Sequence, residues 1–321
     1  MTGITLSRRG IRMTERPETN GLLPARVEGV GEQQKAGRTI DVLMVTHSRP
    51  VFAQRALERL LETCDEEMRV WLWHNGGQQD ALEVARSFLD HPQVHRFHHS
   101  VVNTGHRGLW QPINWVLAEG SGVYFSKVDD DCLVPDGWAD VLRRAHEDVP
   151  TLGVIGCWRF RPEDFRPALA GERIAGFGGH RILRNCWIEG SGFLMKRSCA
   201  ETTGPLRPRM SFSSYCIQLA AGGWINGWYY PFLYQEHMDD PRSPLWLPQA
   251  VSSTNHGSRR SAATLSARAQ EQRVWIIRAR AFYVQRSRLD SRWYMGWRAR
   301  LRRPRFAATR WFRRWSPQRA R

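Results

Sequence analysis

Three adjacent carboxylates are the first feature of this sequence that could do chemistry. Asp129, Asp130 and Asp131 follow an apolar segment that ends at Val128, and a proline–glycine turn comes soon after them. Two carboxylates about 4 Å apart repel each other by roughly 4 kcal/mol at an effective dielectric constant near 20. The group therefore requires solvent, a basic partner or a divalent cation, and Mg²⁺ typically binds one or two carboxylates together with phosphate oxygens. A solvated turn with a helix-capping aspartate is the alternative interpretation.

Alternating strands and helices must position these carboxylates. The apolar patterns predict strands at 39–46, 69–75, 93–100 and 122–128, and helices at 51–64, 79–89 and 107–120. This order predicts an α/β fold with a doubly wound, mainly parallel sheet, in which ligands bind outside the carboxyl ends of the strands. The aspartates and the loops "HSRP", "HNGG" and "NTGHRG" all fall at such ends, so we expect four loops to meet on one rim.

The second half of the sequence continues this pattern less clearly. It predicts helices at 137–148 and 214–224, strands at 152–160 and around a Gly-Ser-Gly turn at 187–198, and an aromatic strand at 225–241 that ends in a second acidic cluster. Residues 161–185 are rich in glycine and arginine and have no clear pattern. The six cysteines include no CxxC pair and are interpreted as buried, reduced thiols.

Five short segments resemble those of GT-A glycosyltransferases, in particular family 2 enzymes that use nucleotide sugars, over about residues 39–241. "VTHSRP" resembles the V-x-x-x-x-R-P of the first loop, and "HNGG" resembles the usual D-N-G-S of the second. "NTGHRGLWQPIN" resembles N-x-G-x-x-x-x-x-N, "VDDD" stands at the place of the DxD motif, and "EGSGFLMKRS" resembles G-G-x-x-x-x-x-R. The resemblance implies a GT-A domain at 39–257, with a nucleotide-binding half at about 39–135 and an acceptor half at about 136–257.

The resemblance also implies roles for individual residues on the donor side. Asp129 and Asp131 would hold the ribose, the metal and the diphosphate of a UDP- or GDP-sugar, with Asp131 favoured as the direct metal ligand and Asp130 beside them. Thr46 and Arg49 would line the nucleotide pocket. The residues implied near the base and ribose are Asn75, Asn103 and Gly105.

Two further side chains complete the expected donor site. Strand alternation turns Lys127 to the same side as Asp129, where it would neutralise aspartates or reach the diphosphate; a plain salt bridge is the alternative. Several GT-A enzymes place a late histidine on the metal, and His237 in "EHMDDP" matches that placement. Mn²⁺ would suit an imidazole beside carboxylates better than Mg²⁺. A loop histidine paired with Asp239 is the alternative.

The sequence departs from the family pattern in two places. His74 stands where the second loop usually has aspartate, which leaves the choice of base open. Inverting members also carry an acidic pair before the acceptor-half helix, where this chain has Ser213 and Ser214. Either the enzyme retains configuration, or it is inactive, or a carboxylate elsewhere serves as the base. The candidates for that base are Glu189, Asp239 and Asp240.

Positive charge is concentrated in the last part of the chain. Of the net charge of +16, residues 258–321 contribute +17 through nineteen arginines and two acidic residues, and residues 39–257 carry about −4. Residues 1–38 are polar and are expected to be a disordered lead-in. Within 258–321, Trp275, Ala279, Phe282, Leu289, Trp293 and Trp297 have helical spacing, which predicts a basic amphipathic helix.

The basic C-terminal segment allows three interpretations. It could bind an anionic membrane surface, pack on the catalytic body through its tryptophans, or bind single-stranded nucleic acid, for which no recognised motif is present. We therefore expect a metal-dependent glycosyltransferase with a glycan or lipid-linked acceptor. The expected location is the cytoplasm or the inner face of the membrane. The alternatives are a non-catalytic peripheral membrane protein with the same fold and, less in keeping with the sequence, a nucleic-acid-binding protein.

Overall fold

A computed structural model describes residues 37–247 and 267–296. The strands are β1 (Ile40–Thr46), β2 (Met68–Asn75), β3 (Val94–Ser100), β4 (Tyr124–Asp129), β5 (Cys132–Leu133), β6 (Leu152–Gly156), β7 (Ile174–Phe177), β8 (His180–Asn185), β9 (Phe193–Lys196), β10 (Ile225–Tyr230) and β11 (Glu236–His237). The α-helices are α1 (Pro50–Glu62), α2 (Gln79–Ser87), α3 (Trp110–Glu119), α4 (Trp138–Asp148), α5 (Pro167–Ala170), α6 (Arg197–Thr203), α7 (Phe212–Ala221) and α8 (Ala267–Arg286). The expected lead-in at 1–38 falls almost wholly outside the described residues.

A central sheet runs in the order β3-β2-β1-β4-β9-β6-β10-β8-β7. Strands β1 to β4 pair in parallel, and β6 pairs in parallel with β10. Strand β9 is antiparallel to both β4 and β6, and β8 is antiparallel to both β10 and β7, so seven of the nine strands run in one direction. The prediction of a doubly wound, mainly parallel α/β sheet is confirmed, and the carboxyl ends of β1, β2 and β4 meet at one edge.

Apolar residues cover both faces of this sheet. Along β1, Ile40, Val42 and Met44 face the layer of α1 and α4, whereas Leu43 faces the layer of α3, α7 and α8. This alternation is the period of two that a strand imposes on its side chains. The sheet is therefore packed between two layers of helices. This packing holds the strand ends in place and so positions the loops that follow them.

The acceptor half differs from the sequence prediction in two elements. Residues 174–185, which had no clear pattern, form the antiparallel hairpin β7–β8 around Gly178 and Gly179, both with positive φ (51° and 86°). A Gly-Gly pair is a hairpin signal because two-residue turns of this kind require positive φ. Strand β9 begins only after Gly192, whose φ is 61°, and a Cβ there would lie 2.0 Å from the amide oxygen of Gln235. The segment 187–192 is therefore a tight loop and not part of a strand.

Helix α8 packs on the acceptor half through small aliphatic side chains and not through Trp275. Ile277, Ala281 and Val284 are buried against the body, while Trp275 is 61% exposed. The spacing of Trp275 and Phe282 therefore marks the exposed side of the helix, so packing on the body, one of the three interpretations of the basic segment, does not take place through these two residues. The helix ends at Arg286, and Trp297 lies outside the described residues.

A buried histidine beneath the sheet should make the fold sensitive to acid. His146 in α4 is 1% exposed, and its Nε2 lies 3.0 Å from the Leu194 carbonyl oxygen. Burial, with a contribution from Lys196, lowers the pKa of His146 to about 3. The unfolded chain, in which histidine has a pKa near 6.5, therefore binds a proton that the folded state excludes, so stability falls as pH drops below about 6.5.

We expect His146→Gln, which keeps an N–H for Leu194, to flatten this dependence. The difference between the two proteins should approach about 1.4 kcal/mol per pH unit below pH 6. Urea unfolding at pH 7, 5.5 and 4.5 measures it, and an unchanged slope would show that His146 does not carry the effect.

Candidate active site

Arg49 is the centre of the acidic cluster. It precedes α1, is 9% exposed, and its guanidinium contacts the carboxylates of Asp130 at 2.9 Å, Asp131 at 3.1 Å and Asp239 at 3.2 Å. Its backbone is left-handed, with φ of 80°, a conformation that costs an L-residue about 1 kcal/mol or more. The ion pairs offset that strain, so the adjacent aspartates are held by a basic partner that comes from the first loop.

The two buried aspartates differ in their environments. Burial raises the pKa of Asp130 to about 7, although Arg49 opposes the shift. Burial also disfavours ionisation of Asp131, but His237 and Arg49 outweigh it and hold the pKa of its carboxyl well below the usual range. Asp131 is therefore the carboxylate of the pair that stays ionised and available to a cation.

A short second sheet brings His237 to the aspartates. Strand β5 directly follows Asp131 and pairs antiparallel with β11, so that His237 lies opposite Cys132. The imidazole Nε2 is 3.8 Å from Asp131 Oδ1. Ligand atoms of Asp131, Cys132 and His237 all lie within 4.8 Å of one another, which makes this group a candidate metal site among the described residues.

The protonation states in this group suit a cation held mainly by oxygen and nitrogen. Burial, followed by the charge of Arg159, lowers the pKa of His237, so its imidazole is neutral and able to bind a metal. Burial and the neighbouring aspartates raise the pKa of the Cys132 thiol well above its usual value, so the sulfur remains protonated. Cys132 was interpreted from the sequence only as a buried thiol.

Asp129 belongs to a different set of contacts. Its carboxylate is bound by the ammonium group of Lys127, a 3% exposed lysine of β4, as strand alternation requires. Its backbone N–H donates to Ser191 Oγ at 3.0 Å. Its side chain is 39% exposed, so unlike Asp131 it faces the open side of the rim and is not part of the group with His237.

The second and third loops are tied together by amide side chains. Asn75 Oδ1 accepts hydrogen bonds from the Thr104 backbone N–H at 3.2 Å and from its hydroxyl at 2.9 Å. Asn75 Nδ2 donates to Asn103 Oδ1 at 3.2 Å, and that oxygen also accepts from the N–H of Gly105 at 2.7 Å. The structure therefore brings together the three residues that were expected near the base and ribose.

The first loop contacts both the second and the third loop through His47. Gly77 has φ of 126°, and a Cβ there would lie 2.0 Å from the carbonyl oxygen of His47, so the "HNGG" loop requires glycine at this point. His47 also lies 3.0 Å from Asn103 through its Nε2. The three loops form one continuous wall beside the aspartates.

His74 replaces the usual aspartate with a neutral group. It is 1% exposed, and its Nδ1 lies 3.1 Å from the hydroxyl of Thr46. Burial, with a smaller effect of His99, lowers the pKa of His74 to about 4. At neutral pH this position therefore carries no charge, whereas an aspartate would carry a negative one.

The three candidate bases are all paired with arginines. Glu189 is 8% exposed and contacts Arg159 at 2.5 Å and Arg280 at 3.0 Å. Asp239 lies between Arg49 and Arg273. Asp240 is 2% exposed and, with Asp164, is bound by Arg242. The structure therefore brings Glu189 and Asp239 to the rim and ties Asp240 into a buried ion-pair network.

Three arginines at this site were not identified from the sequence. Arg159 was assigned to a strand that in fact ends at Gly156, so it lies in a rim loop. Arg273 and Arg280 lie seven residues apart in α8, which places them on one side of the helix. Their spacing was visible in the sequence, but the carboxylates that they contact could only be found from the packing of α8.

Comparison with known proteins gives one family match and similar solved structures. The family model described as glycosyl transferase family 2 matches residues 41–204, which are 164 of the 321 residues. A search among curated proteins gives no match. A mannosyltransferase, PcManGT from Pyrobaculum calidifontis in complex with GDP-Man and Mn²⁺, is 16% identical, with a TM-score of 0.50 over 85% of this chain and 80% of that one. GalNAc-T7 with UDP, GalNAc and Mn²⁺ is 12% identical, with a TM-score of 0.49 over 62% of this chain and 44% of that one.

The sheet and its rim of loops have the GT-A fold. Because the family model covers just over half of its residues, the chain belongs to glycosyl transferase family 2, and it is a sugar-transferring enzyme. The resemblance seen in the sequence motifs is thereby confirmed, as is the predicted fold. The roles of individual residues remain predictions.

Proposed function

We propose that this enzyme transfers a sugar from a UDP- or GDP-sugar to a glycan or lipid-linked acceptor, with a divalent cation as cofactor. The observation that carries the proposal is the group of Asp131 and His237 after β4, with Lys127 bound to the neighbouring Asp129 and the Asn75–Asn103 wall on the same rim. Oxygen and imidazole ligands suit Mn²⁺, and the phosphate oxygens of the donor would fill its remaining positions.

The donor side would work by charge compensation. When bound, the cation neutralises part of the charge on the diphosphate that leaves the sugar. Lys127 would lie beside the same diphosphate, exchanging its contact with Asp129 for a phosphate oxygen. Thr46 and Asn75 would line the nucleotide pocket, while Arg49 would hold Asp130 and Asp131 in place. In the transfer, the bond between the sugar and the diphosphate breaks as the bond to the acceptor oxygen forms.

The proton of the acceptor hydroxyl needs a base if the enzyme inverts configuration. Ser213 stands where inverting relatives carry a carboxylate, and its hydroxyl donates to the Ile188 carbonyl oxygen at 2.9 Å. Glu189 is the next residue, so a carboxylate lies in the same region although it comes from a different loop. This contact favours Glu189 over Asp239 and Asp240 as the group that accepts the proton.

We expect Glu189→Gln to reduce turnover by about 100-fold or more, the usual contribution of a general base, while nucleotide affinity stays within twofold. Turnover is measured at saturating donor and Mn²⁺, and nucleotide affinity by calorimetry. Glu163→Gln, an exposed acid of the same half, is the matched control. Near-normal turnover of Glu189→Gln would remove Glu189 from the reaction.

A donor panel tests the proposal itself. The full chain is incubated with UDP- and GDP-sugars, with and without Mn²⁺, and release of the nucleotide is measured. We expect release from one donor class, and only with the metal. Binding of a nucleotide without release from any donor would instead support the non-catalytic alternative, in which the arginine pairs of Glu189 and Asp239 are purely structural.

The acceptor half would operate next to a membrane. The expected anionic membrane partner and the location at its inner face are part of the proposal, and both rest on the basic C-terminal segment. No helix within 37–247 or 267–296 has the length and apolar character needed to cross a bilayer.

A further inference from the structure

Helix α8 has an outer face of aromatic and basic residues. Arg268, Trp275, Phe282 and Arg286 follow one another at intervals of seven, seven and four residues, which places them along one side of the helix. Trp275 is 61% exposed, Phe282 is 46% exposed, and both arginines are exposed. We call these four residues the outer face of α8.

The aromatic residues of this face do not belong to the core. The opposite side of α8 already anchors the helix, because Ile277, Ala281 and Val284 are buried against the acceptor half. Trp275 and Phe282 pack in neither apolar core cluster of the described residues, and the guanidinium carbon of Arg286 lies 5.3 Å from the centre of the Phe282 ring. Exposed aromatic side chains beside basic ones are typical of interaction surfaces. The outer face of α8 is therefore a candidate interaction surface.

Trp275 lines two cavities on this face. One, of about 400 Å³, is lined by Pro241, Gln270, Glu271 and Val274 together with Trp275 and Arg278. The other, of about 240 Å³, is lined by Arg166, Phe282 and Asp164, again with Trp275 and Arg278. The indole of Trp275 and the side chain of Arg278 thus border both cavities.

The charge around this face is strongly positive. Arg278 keeps 58% of its side chain exposed although it contacts Asp164 at 3.5 Å, and Glu271 is the sole acidic residue of α8. The chain then continues beyond the described part with residues 297–321, which contain ten arginines, five aromatic residues and no acid. The complement of such a surface is anionic and apolar at once, a combination that a lipid interface offers.

We propose that the outer face of α8 docks the enzyme on an anionic lipid surface. Trp275 and Phe282 enter the headgroup region, and the arginines beside them meet lipid phosphates. Amphipathic helices with this composition lie in the plane of the interface, and each nearby arginine is attracted by about 1 kcal/mol.

The orientation that follows deepens the proposed function and rests on it. The inner side of the same helix carries Arg273 and Arg280, which contact Asp239 and Glu189 at the rim. Docking by the outer face therefore holds the acceptor half close to the lipid. An acceptor carried by a lipid would reach the site without leaving the membrane.

Flotation of the full chain with vesicles tests the docking separately from catalysis. The vesicles are phosphatidylcholine alone, or phosphatidylcholine with 30% phosphatidylglycerol, at low and high salt. We expect the wild type to float with the anionic vesicles, with binding reduced at high salt. The double variant Trp275→Ala/Phe282→Ala should lose at least tenfold in partitioning, and Arg268→Gln/Arg286→Gln at least threefold.

A matched control comes from another exposed apolar pair. Val101 and Val102 are 86% and 69% exposed at the far edge of the sheet, and Val101→Ala/Val102→Ala should float like the wild type. Unchanged flotation of the Trp275/Phe282 variant would assign binding to residues 297–321 and overturn the proposal. Equal binding to uncharged vesicles, or no binding by any form, would overturn it too.

Two solution measurements complete the test. Circular dichroism checks that the variants fold, and light scattering shows whether the outer face instead joins two copies of the chain. A dimer that dissociates in the Trp275/Phe282 variant, without vesicle binding, would overturn the proposal. Release of nucleotide from a water-soluble donor should stay unchanged in these variants, so failure of docking and failure of the catalytic proposal give different results.

Discussion

Arg49→Met should lower the free energy of unfolding by about 3–5 kcal/mol, the range measured when one partner of a buried ion pair is removed. The guanidinium group is almost fully buried and contacts Asp130, Asp131 and Asp239. Methionine fills most of the volume but leaves three carboxylates close together without their common cation. Part of the loss will be relieved by protonation of Asp130, since burial already raises its pKa to about 7.

Mn²⁺ should restore part of this stability. A cation that binds only the folded state stabilises it by about 2.7 kcal/mol at 100 times its dissociation constant. The thermal midpoint of Arg49→Met should therefore rise with Mn²⁺ by more than that of the wild type. Arg59→Met, which removes a 27% exposed arginine of α1 paired with the exposed Asp136, is the control and should show a small loss with no added response to Mn²⁺. An equal rise of the thermal midpoint with Mn²⁺ in all three proteins would show that Arg49 does not act at the metal site.

Asp131→Asn should reduce Mn²⁺-dependent turnover by about 1,000-fold. The substitution keeps the shape of the side chain and removes the charge that the cation requires. If the metal contributes about 4 kcal/mol to stabilising the leaving diphosphate, its loss corresponds to that factor, at 1.36 kcal/mol for each tenfold change. Turnover at saturating donor is measured across a Mn²⁺ titration, and the apparent metal affinity should fall as well.

Asp136→Asn separates this effect from a general loss of charge. Asp136 lies five residues further on, and its side chain is 90% exposed. Its replacement should leave turnover within twofold of the wild type. Wild-type turnover by Asp131→Asn at saturating Mn²⁺ would mean that another residue binds the metal, with Asp129 as the next candidate because it stands on the open side of the rim.

Local patterns in the sequence were sufficient to predict the strands and helices of the nucleotide-binding half. The strands there are buried on both faces and the helices are amphipathic, so periodicity predicts their type and order. Because parallel strands end at a common edge, the convergence of Thr46, Asn75 and the aspartates followed from element order alone. The acceptor half was harder, since its strands are short, some run antiparallel, and tight turns at Gly178 and Gly192 interrupt the pattern.

The sequence by itself determined the fold class, the family and the place of the acidic loop. The tertiary structure decided which charges meet. Arg49 contacts Asp239, which lies 190 positions further along the chain. The β5–β11 pair places His237 next to Asp131, and Arg280 of α8 contacts Glu189. The tertiary structure also decided which side of α8 packs on the body, since Ile277 is buried and Trp275 is exposed. Periodicity identifies an apolar stripe, but only the shape of the surface it meets decides which side of a helix is buried, and ion pairs between distant segments leave no periodic signal in the sequence.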